Sequence, residues 1–363
     1  MPKLFAKKFL GIDIGTSSIK LVELEDGGQS FGLSNYGQID LALVENEKPE
    51  LSRNALAAFS SEAIAEMIQA VLAEAKIKTR QCAFSIPDFS AFFTAFSLPP
   101  MTEKELPEAV IFEARQHIPL PIESVTIDWQ LVGGEFGKSQ NLDITVAAVP
   151  NEIIAQYREI AAKAKLQVVL MEAEIFGLLQ ALVGKDDKRA ICLVDVGTQS
   201  TVCGLVEKGL LRYSHSFDRG GAYLADEFIG HLLIDRETAA DIRRNYGLGV
   251  ISAAEPEIRE RMEPKLRESL LPVFKEIKAV LDDYRRLNGS EVAKIIISGG
   301  ASAIPGIKEQ FMDYFQKEIE IADPFKGIKF HAEIEDELKN IGPAYAVAVG
   351  MARRGFEFAK HTK

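Results

Sequence analysis

FLGIDIGTSS at residues 9–18 and ICLVDVGTQS at residues 191–200 share one pattern, in which an apolar strand is followed by Asp, an aliphatic residue, Gly, Thr, one variable residue and Ser. Each copy continues into two more apolar segments, which are separated by a turn at Asp26-Gly27-Gly28 in the first copy and at Lys208-Gly209 in the second. This pattern predicts three antiparallel strands joined by tight turns. Because the same unit occurs twice, the sequence indicates a duplicated fold.

Helical periodicity follows each predicted trio of strands. In the first half, Ile64, Met67, Ile68, Val71 and Leu72 are spaced as one face of a helix, with Ser60 or Ser61 as the N-cap and a strand after it at residues 81–86. The second half predicts helices at residues 221–232, 237–246 and 257–287, a strand at 294–297, a helix from 304 and a last helix at 341–353. Strands that alternate with helices in both halves indicate an α/β fold with two lobes.

The segment between the halves is long enough to form a small subdomain. Thr102 and Glu105 have the spacing of a capping box, which predicts a helix that continues to His117. Strands are predicted at 124–132 and 142–149, followed by a helix from 153 to 164 and a strand at 167–170. We therefore predict an inserted α+β subdomain at residues 88–168. The first lobe then comprises residues 1–87, 169–188 and 340–363, and the second lobe comprises residues 189–339.

Composition and charge narrow the class of protein. The 363 residues have a formal net charge of -11, which disfavours a nucleic acid partner because phosphodiesters are repelled. No apolar run approaches the roughly 20 residues that cross a bilayer, so a cytoplasmic protein is expected. Cys82, Cys192 and Cys203 have no metal or disulfide spacing, and we expect buried thiols, with Cys192 and Cys203 on adjacent strands.

The repeated motif has the chemistry of a phosphate site. Gly15 and Gly197 predict tight turns whose amides face phosphate oxygens, since glycine tolerates positive φ and close contact. Asp13 and Asp195 are candidate ligands of a hydrated Mg²⁺, and Lys20 is placed to neutralise a phosphate. The neighbouring polar side chains add further donors: Thr16, Ser17, Ser18, Thr198, Gln199 and Ser200.

Two more glycine-bearing segments complete the predicted site. Gly299, Gly300, Ala301 and Ser302 form a turn without a bulky side chain, where an adenine and ribose would fit. Gly220-Gly221 opens a helix whose free N–H groups suit an anion or a ribose edge. Two phosphate turns on two lobes predict one nucleotide held between them.

These residues resemble the superfamily of actin, the sugar kinases and the heat-shock chaperone ATPases. The first phosphate motif resembles Asp13 to Lys20, the second resembles Asp195 to Thr201, and the adenosine motif resembles Ser298 to Pro305. The two connecting helices resemble Glu172 to Leu182 and Gly342 to Arg353. The resemblance implies a two-lobed, ribonuclease-H-like fold that binds ATP with Mg²⁺ in its cleft.

Within that superfamily, the chain is similar to the PilM family of type IV pilus assembly proteins, which is related to the division protein FtsA. The opening at residues 10–24 looks like the start of that family. The inserted segment carries the more specific resemblance, in ARQHIPLPIE at residues 114–123 and in Asp128-Trp129-Gln130. In this family the insert replaces a subdomain of actin and sits elsewhere on the first lobe.

The resemblance implies a cytoplasmic protein that is peripheral to the inner membrane through its partners. In this family a groove beside the insert holds the short N-terminal cytoplasmic tail of PilN, a single-pass inner-membrane protein. The resemblance implies contacts with other pilus components and leaves self-association open. Hydrolysis of ATP is expected to be slow, and ATP is expected to set the closure of the lobes.

The resemblance also assigns roles to single residues. It places the glutamate that orients the attacking water at Glu174, with Glu172 as the alternative. It maps an acid and a cation that contact ribose and base onto Asp241 and Arg244. This chain has Asp where Glu is usual and Arg where Lys is usual, and a guanidinium is not a neutral replacement for an ammonium. An ordinary ion pair one helical turn apart is the alternative interpretation of Asp241 and Arg244.

Two other classes of function stay open from the sequence. A small-molecule kinase of the sugar-kinase type would need a carboxylate aimed at a substrate hydroxyl, and the sequence has no such motif. An FtsA-like filament-forming protein would bind a membrane through a C-terminal amphipathic helix on a linker. Residues 355–363 are expected to be too short for that device, although they contain Phe356 and Phe358.

Overall fold

The computed structural model describes residues 8–28, 30–41, 59–231 and 256–361. Its first sheet has five strands, which are β1 (Lys8–Ile14), β2 (Ser18–Asp26), β3 (Phe31–Asp40), β4 (Gln81–Ile86) and β8 (Gln167–Ala173). The strand order is β3-β2-β1-β4-β8. Strands β1 to β3 are antiparallel, whereas β4 and β8 run parallel to β1.

The second sheet repeats this arrangement. Its strands are β9 (Ala190–Val196), β10 (Thr201–Glu207), β11 (Leu210–Phe217), β12 (Lys294–Ser298) and β13 (Glu318–Ile321), in the order β11-β10-β9-β12-β13. The first three are antiparallel and the last two are parallel to β9. β1 and β9 thus occupy the same place in their sheets, and the predicted duplicated α/β fold is confirmed.

A third, smaller sheet lies in the inserted segment. Its antiparallel strands are β5 (Phe92–Leu98), β6 (Val125–Gly133) and β7 (Leu142–Pro150), in the order β5-β7-β6. Helix α2 (Leu106–Ala114) covers one face through the buried side chains of Leu106 and Val110. The two predicted strands and the predicted helix of this segment are present, and β5 is an additional strand.

The start of α2 differs from the prediction. The carboxylate of Glu105 accepts hydrogen bonds from the N–H and the hydroxyl of Thr102, each at 2.8 Å, so only the Glu half of the capping box forms. The helix begins at Leu106 because Pro107 suits the first turn. It ends at Ala114 rather than at His117, and Pro119 disfavours a helical conformation in the residue before it.

Helix α3 (Asn151–Lys163) packs on the first sheet, to which strand β8 belongs, rather than on the third. Tyr157 and Ile160 of α3 share a core with Ile64 and Ile68 of helix α1 (Ser61–Glu74). Hydrophobic periodicity reveals which face of a helix is buried but not which sheet buries it. We therefore propose an inserted subdomain at residues 88–150, narrower than 88–168. The predicted N-cap of α1 is Ser60, whose hydroxyl accepts from the Ala63 N–H at 3.2 Å.

Two helices lie between the large sheets and join them. Helix α4 (Glu174–Leu182) and helix α8 (Glu335–His361) share one core with residues of both sheets. A Cβ on Gly350 of α8 would stand 1.8 Å from the carbonyl oxygen of Gly177 on α4. Only glycine permits this close crossing. The last predicted helix, at residues 341–353, is the middle part of α8.

The second lobe contains helix α5 (Gly221–His231), helix α6 (Pro256–Asn288) and helix α7 (Ile307–Phe315). Phe274 of α6 and Phe311 of α7 pack edge to face, with ring centroids 4.8 Å apart. Helix α7 starts later than the predicted residue 304 because a 3₁₀ turn at Gly300–Ala303 and Pro305-Gly306 come first. The predicted helix at 237–246 lies outside the described residues.

The cysteine predictions are confirmed. Cys82, Cys192 and Cys203 are buried and free, and the Sγ atoms of Cys192 and Cys203, on β9 and β10, are 3.3 Å apart. Burial raises the pKa of the Cys82 thiol to about 12.

Within the described part of the chain, no helix is both long and apolar enough to cross a membrane.

Candidate functional site

The turns that follow β1 and β9 face each other across a cleft between the two large sheets. In the first turn the Gly15 N–H donates to the Ser18 carbonyl at 3.0 Å, and in the second the Gly197 N–H donates to the Ser200 carbonyl at 3.0 Å. The hydroxyl oxygens of Ser17 and Thr198 are 2.7 Å apart. The repeated motif therefore forms two equal turns that contact each other through their side chains.

Gly15 and Gly197 are needed for space and not for a left-handed backbone. Neither residue has a positive φ, so that expectation is wrong. A Cβ on Gly15 would stand 3.1 Å from the Ser18 carbonyl oxygen, and a Cβ on Gly197 would stand 3.1 Å from that of Ser200. Their amides were expected to face phosphate but bond within the turns, because a turn this tight needs its own hydrogen bond.

Asp13 and Asp195 occupy equal positions on β1 and β9, and each accepts a hydrogen bond from a serine on the neighbouring parallel strand. Ser85 Oγ on β4 donates to Asp13 Oδ1 at 2.8 Å, and Ser298 Oγ on β12 donates to Asp195 Oδ1 at 2.6 Å. Ser85 was not predicted as a site residue. Its only signal in the sequence is its place near the end of β4, which corresponds to that of Ser298 on β12.

Glu174, the first residue of α4, lines the cleft together with the two aspartates. Burial, together with the charges of Asp13 and Asp88, raises the pKa of Glu174 well above its usual value. Burial likewise raises the pKa of Asp195 to about 6. Each carboxyl group disfavours the charge on the others, and a cation in the cleft would favour all the charged forms.

Glu172 lies away from the cleft, although it is only two positions before Glu174. Its carboxylate accepts from the guanidinium of Arg354 on α8, with Arg354 Nε 2.6 Å from Glu172 Oε2. Glu172 still belongs to β8, and the strand turns into helix α4 between the two glutamates. Only Glu174 is therefore placed beside Asp13 and Asp195.

A cavity of about 220 Å³ separates the two turns. Thirteen of the predicted residues line it: Asp13, Gly15, Thr16, Ser17, Ser18, Lys20, Glu174, Asp195, Gly197, Thr198, Ser200, Gly299 and Gly300. Ligand pockets usually measure roughly 300–1,000 Å³. The cavity is thus smaller than a usual pocket for a whole nucleotide, and Ser17 and Thr198 are in contact across it.

Several predicted site residues do not line this cavity. Those within the described residues are Gln199, Gly220, Gly221, Ala301 and Ser302. Ala301 and Ser302 are buried behind the turn, where the Ser302 hydroxyl donates to the Gly299 carbonyl at 2.7 Å. Gln199 is exposed beside the second turn. Asp241 and Arg244 lie outside the described residues.

The start of α5 supports the second turn through its first two amides. The Gly221 N–H donates to the Gly197 carbonyl at 2.7 Å, and the Ala222 N–H donates to the Thr198 carbonyl at 2.8 Å. A Cβ on Gly220 would stand 2.6 Å from both carbonyl oxygens. The prediction that Gly220-Gly221 binds an anion through free N–H groups is therefore wrong, since packing against the turn uses them.

Gly299 agrees with the prediction that the third turn has no room for a bulky side chain. Its φ is +85°, and a Cβ would stand 2.3 Å from the Val196 carbonyl oxygen. Its N–H donates to the carbonyl of Pro343 on α8 at 3.0 Å. A glycine here therefore lets the third turn approach both the second sheet and the helix between the lobes.

Six residues that line the cavity were not predicted, namely Gln38, Pro87, Phe89, Val202, Ala344 and Val347. Most are apolar residues whose positions in the sequence match those of ordinary core residues. Pro87 and Phe89 come directly after β4, at the entrance to the inserted subdomain. No local motif distinguishes them, because only the approach of distant segments brings them to the cleft.

The cleft combines donors for phosphate with carboxylates for a cation. Lys20 Nζ donates to Ser18 Oγ at 2.8 Å, and its positive charge lowers the pKa of Asp195 against the larger effect of burial. Within the described residues, no group of three or more His, Cys, Asp or Glu side chains is arranged to hold a metal ion. Mg²⁺ needs only one or two carboxylates when waters and phosphates complete its shell, and Asp13 and Asp195 fit that requirement.

A second cavity, of about 270 Å³, lies between the inserted subdomain and α4, and we call it the insert groove. It is lined by Asp128, Trp129, Gln130, Thr145, Ala147, Glu172, Phe176, Leu179, Gln180, Gly209 and Arg354. Two acids, one paired cation and two aromatic side chains face the groove. These residues belong to the insert, the first lobe and one turn of the second lobe.

Comparisons with known proteins agree with this architecture. The model of a family described as type IV pilus assembly protein PilM matches residues 11–356. A solved PilM-PilN type IV pilus biogenesis complex is similar over 96% of this chain and 98% of that chain, with 24% identity and a TM-score of 0.78. MreB 5 of Spiroplasma citri bound to AMPPNP is similar over 99% of both chains, with 14% identity and a TM-score of 0.51. The fold is therefore that of the actin-like ATPases.

The sequence likeness to a curated protein is more limited. The cell division protein FtsA of Staphylococcus epidermidis is 18% identical over 204 residues, which are 51% of this chain and 43% of FtsA. The chain spans about half the length of the curated relatives it matches.

Proposed function

The chain belongs to the family of type IV pilus assembly protein PilM, and from that premise we propose that it is an ATP-binding scaffold of pilus assembly. Its partner is the N-terminal cytoplasmic tail of a PilN-like inner-membrane protein, and this contact places the protein at the cytoplasmic face of the inner membrane. One observation carries the proposal. Helix α4 carries Glu174 at the cleft and Phe176, Leu179 and Gln180 at the insert groove, so the two sites share one rigid element.

The cleft is the proposed ATP site. Hydroxyls of Thr16, Ser17 and Thr198 provide donors for phosphate oxygens, and Lys20 neutralises charge. Bound Mg²⁺ would supply positive charge beside Asp13 and Asp195. The actin-like fold supports this assignment, since a structure of this fold, MreB 5, is bound to AMPPNP.

Nucleotide entry must change the distance between the lobes. The hydroxyls of Ser17 and Thr198 are in direct contact, and a phosphate placed between the turns replaces that contact with two new ones. A ligand shifts an equilibrium between open and closed lobes only as far as its affinities for the two states differ. Because both turns supply donors, ATP binds the two lobes together more strongly than either lobe alone.

Hydrolysis is slow in this proposal, and Glu174 is the residue that orients water. Burial and the neighbouring carboxylates raise its pKa and so favour its protonated form, whereas positive charge in the cleft would favour its charged form. A protonated carboxyl group cannot accept the proton of an attacking water. Turnover therefore depends on cations in the cleft, and ATP acts chiefly through lobe closure.

The insert groove is the proposed site of the partner tail. Trp129 and Phe176 provide apolar anchors of the kind that carry most of the affinity in peptide recognition. Asp128 provides a carboxylate for the amino terminus or a basic side chain of the tail. Glu172 is already paired with Arg354, which leaves the guanidinium as an edge of the groove and not as a free cation.

The deciding experiment measures binding of a synthetic peptide with the sequence of the PilN-like tail, with and without Mg-ATP. We expect specific binding, loss on scrambling the peptide, and a change in affinity with Mg-ATP. Trp129→Ala should weaken binding at least tenfold, a factor of about 1.4 kcal/mol. Phe112→Ala is the matched control, because Phe112 is an aromatic side chain of the same insert, 70% exposed and outside the groove. An absence of binding in both nucleotide states would leave an actin-like ATPase with another role.

A further inference from the structure

The connection between β4 and β5 is the shortest covalent path from the cleft to the inserted subdomain. It consists of Pro87 and a 3₁₀ turn at Asp88–Ser90. Pro87 and Phe89 line the cavity between the phosphate turns. Strand β5 of the insert begins at Phe92. Only a few residues therefore separate this turn from strand β5, so a movement of the turn would also move the insert.

Asp88 anchors this turn to both lobes. Its carboxylate accepts from the Ile175 N–H of α4 at 3.2 Å and from the Ser214 hydroxyl of β11 at 2.9 Å. Its own N–H points at the Glu174 carboxylate, 3.5 Å away. The side chain is 2% exposed. Asp88 thus contacts the first lobe through α4 and the second lobe through β11.

The bond to Ile175 replaces a helix cap that the local sequence does not supply. The N-cap residue of α4 is Ala173, which has no side chain to accept a hydrogen bond. A carboxylate that accepts from an amide in the first turn normally belongs to the N-cap residue itself. Here it comes from Asp88, which is distant in the chain, so the position of Glu174 depends on where the turn at 88–90 lies.

The insert also forms two hydrogen bonds with the same strand of the second lobe. Thr145 Oγ1 on β7 donates to the Leu211 carbonyl at 3.1 Å, and the guanidinium of Arg212 on β11 donates to the Val132 carbonyl on β6. Strand β11 therefore touches the insert along its length, and Ser214 places Asp88 at the end of that contact nearest the cleft.

We propose that Asp88 is a positioning residue that transmits closure of the ATP cleft to the inserted subdomain. The bond between Asp88 and Ser214 forms when the lobes are closed and holds the turn at 88–90 against α4. Opening of the lobes separates β11 from the turn and releases the insert from the same strand. The insert groove then changes shape with nucleotide state. This inference rests on the proposed function, because it explains how the two proposed sites communicate.

The test follows hydrogen–deuterium exchange in β6 and β7 of the full chain, with and without saturating Mg-ATP, together with the dissociation rate of a fluorescent ATP analogue. The variants are Ser214→Ala, Asp88→Ala and the conservative Asp88→Asn. Ser216→Ala is the matched control, because Ser216 is on β11 two positions from Ser214 and its side chain is outside the cleft and the insert groove. Thermal unfolding without nucleotide checks that each variant folds.

Mg-ATP should slow exchange in β6 and β7 of the unaltered protein and of the Ser216→Ala variant. In Ser214→Ala this effect should be lost, and the analogue should dissociate about 2- to 12-fold faster, the range that corresponds to one net hydrogen bond. Asp88→Asn should retain most of the effect, since its amide oxygen still accepts from the Ile175 N–H and its amide nitrogen donates to the Ser214 hydroxyl. A merely structural role would lower the unfolding temperature and leave the response to ATP intact.

Two results would overturn the inference, and they are distinguishable. If Ser214→Ala and Asp88→Ala respond to Mg-ATP as the unaltered protein does, Asp88 does not transmit closure, while the scaffold proposal stands. If the unaltered protein does not bind the ATP analogue, the proposed function fails and the inference fails with it. Should Asp88→Ala not fold, Ser214→Ala still decides, because it removes only a hydroxyl from a strand.

Discussion

The hydroxyl oxygens of Ser17 and Thr198 lie 2.7 Å apart, although the two residues belong to different copies of the repeated motif and to different sheets. This contact joins the lobes at the point where a phosphate would bind. The closed cleft is therefore stabilised by groups that a nucleotide would use. In the proposed function, binding would exchange one hydroxyl contact for several contacts to phosphate, and this exchange would couple the closure of the lobes to the occupancy of the site.

We expect Ser17→Ala and Thr198→Val each to weaken Mg-ATP binding by about 1 kcal/mol, since each removes one hydroxyl donor. The double variant should lose more than the sum, because either single change already removes the Ser17–Thr198 contact that competes with ATP in the empty cleft, and the second change has no such contact left to remove. Isothermal titration calorimetry measures all three values. Additive losses would show that the hydroxyls act independently and do not meet in the closed cleft.

The serines that donate to Asp13 and Asp195 should contribute equally to the stability of the protein. Ser85→Ala and Ser298→Ala each leave a carboxylate oxygen without its donor in a buried place, and a loss of roughly 1–3 kcal/mol in the free energy of unfolding is expected. Ser97→Ala is the control, because the bond of Ser97 to Asp143 is exposed. Urea denaturation gives the values. A large loss in one serine variant alone would refute the structural equivalence of the two sites.

Glu174 and Glu172 provide a matched pair for the assignment of roles. Glu174→Gln should lower ATP turnover by about 10²–10⁴-fold, the range for a general base, and should leave ATP binding intact. Glu172→Gln should leave turnover unchanged and weaken binding of the PilN-like peptide, because it disturbs the pair with Arg354 in the insert groove. Single-turnover hydrolysis and peptide titration separate the two. The reverse result would move the water-orienting role to Glu172.

The buried carboxyl groups predict a stability that falls as the pH rises. Burial raises the pKa of Asp88 to about 7 and that of Asp195 to about 6, both from an ordinary value of 3.8. Between about pH 4 and pH 7 the folded protein without nucleotide therefore binds more protons than the unfolded chain. The free energy of unfolding decreases through this window and the contribution is fully lost above pH 7.

Asp88→Asn tests this dependence, because an amide does not titrate. The variant should show a flatter decline between about pH 4 and pH 7 in urea denaturation, with Asp195 and Glu174 responsible for what remains. Lys20 faces Asp195 and moderates the effect there. An unchanged slope in Asp88→Asn would mean that Asp88 is charged in the folded protein at neutral pH.

The crossing of α4 and α8 sets a steric limit. Gly350→Ala would place a Cβ 1.8 Å from the Gly177 carbonyl oxygen, and we expect a loss of about 1–3 kcal/mol or more in the free energy of unfolding from overpacking. Gly184→Ala is the control, since no atom lies within 4 Å of a Cβ there. Thermal denaturation compares the two. A stable Gly350→Ala variant would show that the helices can separate at little cost.

Much of the site follows from local pattern. The two motifs place Asp13, Asp195 and the turn residues, because a strand that ends in Gly-Thr must form a tight turn. The resemblance separates Glu174 from Glu172, and the structure gives the reason, which is the change from β8 to α4 between them. By contrast, the prediction of free amides at Gly220-Gly221 was wrong. The N–H groups of Gly221 and Ala222 donate to carbonyl groups of the second turn.

The duplication, the two α/β lobes, the insert and the carboxylates of the cleft follow from the sequence, because each depends on periodicity or on residues near in the chain. Three relationships appear only in the folded chain: Ser85 donates to Asp13, Asp88 caps α4 and accepts from Ser214, and α3 packs on the first sheet. These relationships join segments that are far apart in the chain. Local propensity does not predict contacts between distant segments, because these contacts form only when the whole core packs.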